Sequence, residues 1–139
     1  MMNEWLVVTG SLSLILALIE AWLLVILFTN PNSNLCKAIP NSQDLLKSHL
    51  DYLLMSLFLF VFYLLFAHFQ VKAQPFLIVS MCMGSIGNAG LFLARAINPH
   101  FKSEPSPVFR LAMGISCLLT TIGYVGGAWL VAAAAITLM

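Results

Sequence analysis

The sequence predicts an all-α integral membrane four-helix bundle, and three observations carry that expectation. Of the 139 residues, 61% are apolar and only 8% are charged, whereas soluble domains run roughly 45–50% apolar and about 25% charged. The apolar residues fall into four long runs, each close to or above the roughly 20 residues that one spanning helix needs. The runs lack period-two alternation, so helices are expected and not the strands of a closed barrel. Six Lys/Arg against five Asp/Glu, a net charge of +1, exclude a nucleic-acid partner bound by phosphate neutralisation. Residues 1–139 are expected to form a single membrane domain, since four spans leave no room for a soluble domain of ordinary size.

The first span is expected over about residues 5–28, interrupted only by Glu20. Its N-terminal flank, Met1-Met2-Asn3-Glu4-Trp5, has no basic region, and no small-x-small cleavage site follows the run. The segment is therefore expected to be retained. Turn formers from Thr29 through Pro31 to Asn34 end it. A polar loop carrying Lys37 and Asp44 is expected up to about Lys47, with span two over about 48–69. The short link from His68 to Pro75 implies an antiparallel neighbour. Span three, about 75–97, opens on Pro75, which suits a first helical turn. A loop with His100, Lys102 and Glu104 leads to span four, about 108–138, in which no charge follows Arg110. Lys37, Lys47, Arg95, Lys102 and Arg110 flank loops one and three, against Lys72 alone on the other side. The positive-inside rule then places both termini outside the cytoplasm of a bacterial-type inner (cell) membrane, with lipid as the surrounding partner.

Cys36, Cys82 and Cys117 are scattered and odd in number. They fit neither a disulfide framework nor a zinc site, and are expected to be small buried hydrophobes.

Polar side chains are costly in hydrocarbon, so their positions are informative. On a helix, His49, Tyr52, Ser56 and Tyr63 share roughly one face, with Phe60 in the same stripe. A nitrogen above hydroxyl and aromatic groups suits an aromatic or macrocyclic ligand; an interfacial histidine near belt tyrosines gives the same pattern. Asp51 points to another face, with Lys47 as a candidate partner at i+4. Glu20 is expected to be paired or neutral, and either structural or functional. Arg95 is expected to snorkel, while His68 and His100 suit a solvated surface. Gly84, Gly87 and Gly90 clear one side of span three for close helix approach or for a flat ligand. Asn88 is placed to hydrogen-bond into that space. Gly123-x-x-x-Gly127, with Gly126, reads as a packing or oligomer face.

The run Leu46-Lys47-Ser48-His49 opening an apolar helix resembles the small four-helix membrane isomerases, which include styrene oxide isomerase and hydroxylaminobenzene mutase. The run Asn88-Ala89-Gly90-Leu91-Phe92, continuing to Asn98-Pro99, is similar to that family's Asn-x-Gly-aromatic segment. The resemblance implies haem b with its iron ligated by His49, in a homotrimer with haem near the subunit interfaces. It further implies a cofactor pocket at Ser56, Met55, Gly87 and Phe92, with Tyr52 and Asn88 as catalytic side chains. Met55 and Phe92 stand where the family has a pocket Asn and Tyr, so two hydrogen-bond donors are missing. The implied activity is isomerisation of a small apolar aromatic substrate, with ferric haem as Lewis acid. Epoxide would go to carbonyl, or arylhydroxylamine to aminophenol. The alternatives are a non-catalytic membrane haem-binding protein and a small structural subunit of a membrane complex.

Overall fold

The computed structural model describes residues 2–30 and 32–137, apart from the side chain of Lys102. Pro31 in the expected turn and Leu138 at the expected end of span four lie outside the described residues. The helices are α1 (Glu4–Thr29), α2 (Asn34–Ala38), α3 (Ser42–His68), α4 (Pro75–Ile97), α5 (His100–Ser103) and α6 (Pro107–Thr137). No strand occurs among the described residues. The chain is an all-α bundle in which α1, α3, α4 and α6 are long and apolar enough to cross a membrane, so it is a multi-pass membrane protein. Its outer surface is apolar, with Trp22 70% and Trp129 74% exposed, which suits lipid and not water.

The helices pack in chain order: α1 along α3, α3 along α4, and α4 along α6. Three layers fill the interior. Leu6, Leu59, Phe66, Ile78 and Met81 pack at the end where α1 begins. Leu24, Leu27, Ile39, Leu45 and Ala96 pack at the end where it finishes. Between them Ala17, Tyr52 and Ala89 meet, one from each of α1, α3 and α4. The two alanines bring three backbones close together at mid-bundle.

Helix α3 begins earlier than the composition suggests. Span two was expected from about residue 48, yet α3 starts at Ser42 and takes in Asp44 and Lys47. Asn41 caps it: its Oδ1 accepts from the Asp44 N–H at 3.3 Å, and its Nδ2 donates to Asp44 Oδ2 at 2.7 Å. Such a cap satisfies N–H groups that a helix start otherwise leaves unbonded. Asp44 is fully buried and pairs with Lys47 and, across to α4, with Arg95 Nε, each at 3.4 Å. The expected Lys47–Asp51 pair is therefore replaced by Lys47–Asp44, because Asp51 turns toward α4. Arg95 does not snorkel; its side chain is held inside between Asp44 and the Phe92 ring, 5.7 Å from the ring centroid. The Arg95 Nε–H is close enough for ion pairing without forming an aligned hydrogen bond.

The α4–α6 contact explains the glycines. A Cβ on Gly84 would lie 2.6 Å from the Thr120 backbone nitrogen, and one on Gly87 would lie 2.8 Å from Ser116 Oγ. A Cβ on Gly123 would lie 2.7 Å from the Met81 nitrogen, and the Phe62 and Phe66 rings cover Gly127. Of the readings open for these glycines, close packing within one chain is the one found: α6 fills the space that a flat ligand against Gly84 and Gly87 would need. In lipid, where apolar surface gives little drive to associate, such close approach supplies the attraction. The cysteines are free, but none is fully buried and Cys117 is exposed. That corrects the expectation of buried thiols: Cys36 on α2 and Cys82 against α1 are half-buried, and Cys117 lies on the apolar outer surface of α6, as apolar a setting for a thiol as the core. His68 and His100 are exposed as expected.

Gly84→Ala is expected to lower stability by about 1–3 kcal/mol, the usual cost of overpacking a tight contact. Gly114→Ala is its control, since nothing lies within 4 Å of the new Cβ. Thermal unfolding of both variants in one detergent checks the difference, and equal melting temperatures contradict it.

Candidate functional site

Helix α3 carries the polar residues, and its period decides where each one goes. His49 and Asp51 are two residues apart, so they leave the helix about 200° apart. His49 lies two turns into α3, not at its start, and faces α1. Its Nδ1 is 2.8 Å from the Ala17 carbonyl oxygen, near the middle of α1. A carbonyl only accepts, so Nδ1 carries a hydrogen, which leaves Nε2 as the nitrogen available to a metal. No partner holds Nε2 among the described residues. Asp51 faces α4, where Asn88 Nδ2 donates to its Oδ2 at 2.8 Å.

The residues between these flanks point inward. Tyr52 is buried, with its hydroxyl beside Gly90, where an added Cβ would be 3.5 Å away. Ser56 is buried and donates to the Gly10 carbonyl at 2.8 Å. Phe60 packs on Gly10 in the same stripe. The shared face of His49, Tyr52 and Ser56 is thus observed, but the serine hydroxyl is already used to hold α1. Ser48, beside His49, lies 2.8 Å from Glu20 Oε1 and 3.0 Å from the Ala89 oxygen. Glu20 is therefore engaged across the bundle, a contact that its lone position in span one foreshadowed.

On the other flank, Asn88, Leu91, Phe92, Arg95, Met113 and Cys117 line a notch of about 100 Å³ between α4 and α6. Asn88 gives one amide N–H to Asp51, and its Oδ1 lies 3.9 Å from Cys117 Sγ on the notch side. A larger cavity of about 350 Å³ lies between α1 and α4, lined by Trp5, Thr9, Ile78, Cys82 and Met83 among others. It contains none of the sequence-predicted site residues.

The predicted site residues therefore fall into two groups within one chain. His49, with Tyr52 and Ser56 beside it, belongs to the α1–α3 seam. Asn88 and Phe92 belong to the α4–α6 notch, and Gly87 lies under Ser116. Met55 is partly buried on α3 between these groups. Arg95, Asp51 and Met113 are additions to the notch region. For Arg95 and Asp51 the signal was present, since a charge inside an apolar run is rare. For Met113 there was none.

No family model, curated protein or solved structure matches the chain.

Asn88→Leu is expected to cost about 1–3 kcal/mol of stability, because it strips Asp51 of its donor inside the bundle. Asp51→Leu combined with Asn88→Leu should recover most of that loss, since neither partner is then left unpaired. A double-mutant cycle read by thermal unfolding checks this, and simple additivity of the two single losses contradicts it.

Proposed function

We propose that the chain is a haem b-dependent membrane isomerase that rearranges small apolar aromatic substrates and works as a homotrimer. The observation that carries this reading is the tether of His49 to the Ala17 carbonyl. Metal-ligating histidines commonly give their second ring N–H to a carbonyl or carboxylate, which fixes the tautomer and aims the free nitrogen. Nε2 is the nitrogen that would hold a haem iron. Among the described residues no three His, Cys, Asp or Glu side chains stand together. A porphyrin needs only one or two protein ligands, because its own nitrogens supply the other four. The close α4–α6 contact leaves no room for a flat ring against Gly84 and Gly87.

When bound, the group supplies an iron Lewis acid that polarises a substrate oxygen. The chain's own residues do the rest. His49 would hold the iron, and the apolar side chains of Leu91, Phe92 and Met113 would exclude water. Asn88 gives one amide N–H to Asp51 and keeps its second N–H and its Oδ1 for a substrate. Both the epoxide-to-carbonyl and the arylhydroxylamine-to-aminophenol rearrangement fit that pair. The separation of His49 and Asn88 on opposite flanks supports the oligomer, because in a ring each copy meets its neighbour through unlike faces. The charge asymmetry of the loops supports an inner-membrane orientation with both termini outside the cytoplasm.

Detergent-purified protein from haem-supplied cells is expected to show a Soret band that His49→Ala abolishes or shifts, and to turn over arylhydroxylamines or aryl epoxides. A colourless protein would overturn the reading in favour of a structural membrane subunit. Pigment without turnover of either substrate would leave a non-catalytic haem protein.

A further inference from the structure

The Glu20 carboxyl is 3% exposed and has no part in the activity proposed above. Its Oε1 lies 2.8 Å from Ser48 Oγ, and the same Oγ lies 3.0 Å from the Ala89 carbonyl oxygen. Its Oε2 is buried with no hydrogen-bond partner. A serine hydroxyl has one hydrogen and can donate it once. With Glu20 as a carboxylate, two acceptors compete for that hydrogen, so one of the two short oxygen–oxygen contacts lacks a proton. Oε2 would then be a charged oxygen with no donor at all.

A proton on Oε1 resolves every contact. The Glu20 O–H donates to Ser48 Oγ, the Ser48 O–H donates to the Ala89 carbonyl, and Oε2 becomes an ordinary acid carbonyl. The surrounding charges agree. Among the described residues no Lys, Arg or His lies within ion-pairing distance of Glu20; Lys47 and Arg95 both turn to Asp44. The other titratable groups in this part of the bundle are on α3. Asp44 is held by those cations and Asn41, His49 by the Ala17 carbonyl and Asp51 by Asn88, while Tyr52 lies one turn beyond Ser48. Helix α4 meets the Glu20–Ser48 pair with the Ala89 carbonyl. An unpaired charge is too costly to bury there, and a neutral acid is not.

We propose that Glu20 is a proton-holding site: it stays a neutral carboxylic acid in the membrane, and its proton completes a chain from Glu20 through Ser48 to the Ala89 carbonyl that fastens α1, α3 and α4 together beside His49. The ligand of this site is a proton, and losing it removes the hydrogen from one of the two contacts. The proposal stands whether or not the chain binds haem.

Infrared difference spectroscopy on the full chain in liposomes at neutral pH tests it. The comparison is wild type against Glu20→Gln, whose amide keeps both the carbonyl and a donor for Ser48. A protonated-acid carbonyl band is expected in wild type and absent in the variant. Ser48→Ala should move that band to higher frequency by removing the acceptor. Wild-type protein with ¹³C-labelled glutamate reads the same band without any substitution, because the other two glutamates, Glu4 and Glu104, are exposed. Carboxylate bands alone in the wild-type-minus-variant spectrum, or no labelled acid band, overturn the proposal. So does a band that Ser48→Ala leaves unmoved.

Discussion

Hydrocarbon offers no hydrogen bonds, so each polar group carried into the bundle has to find its partner within the protein. In this chain that constraint falls mainly on α3, and α3 meets it by bonding to both neighbours. Ser56 reaches the Gly10 carbonyl, His49 the Ala17 carbonyl, and Ser48 the Glu20 carboxyl. The partners climb α1 as the α3 residues descend, as an antiparallel pair requires. Three contacts at three heights fix the register of the two helices more tightly than apolar side chains do, because lipid competes for apolar contact and not for hydrogen bonds. On its other side α3 is tied to α4 by Asp51–Asn88, by Asp44–Arg95 and by the Asn41 N–H donating to the Ala96 carbonyl at 3.3 Å.

The second interface uses different means. Between α4 and α6 the contact is made of small residues, with Ser116 and Thr120 seated against Gly87 and Gly84. Hydroxyl bonds support it: Ser116 to the Gly84 carbonyl at 3.3 Å and Ser85 with Tyr124 at 2.7 Å. Tyr124 also stands edge-on to Phe58 and Phe62, which joins α6 to α3 beyond the glycines. One helix pair is thus specified by donors and acceptors and the other by shape. His49 and Glu20 both draw on the first.

The existence and approximate extent of the four spans were legible because hydrocarbon length and side-chain hydropathy are properties of the sequence itself. The start of α3 was not, because Asp44 and Lys47 look like loop residues until Arg95 and Asn41 are seen to hold the aspartate. A local sign existed in the Asn41-x-x-Asp44 spacing, which is that of a capped helix start. The two faces of α3 followed from helical period, which placed His49 with Tyr52 and Ser56 and sent Asp51 elsewhere. Occupancy of the glycine-cleared side was beyond the sequence. Glycine leaves space for a helix or for a ligand alike, and only the position of α6 decides between them. The partner of Lys47 was likewise a choice between residues three and four positions away, made by where Asp51 finds Asn88.

The polar layer at mid-bundle joins these strands of the architecture. Ala17 and Ala89 are the smallest side chains that still keep a helix, and their size lets α1 and α4 come within reach of α3 at one level. At that level Ser48 meets both neighbours at once, and His49, the next residue, is drawn to the Ala17 carbonyl. The imidazole is therefore oriented by a backbone carbonyl of α1. An enlarged side chain at Ala17 or Ala89 would part the helices and release both residues together. The histidine and the buried acid are thus mechanically one unit, although they are chemically separate sites.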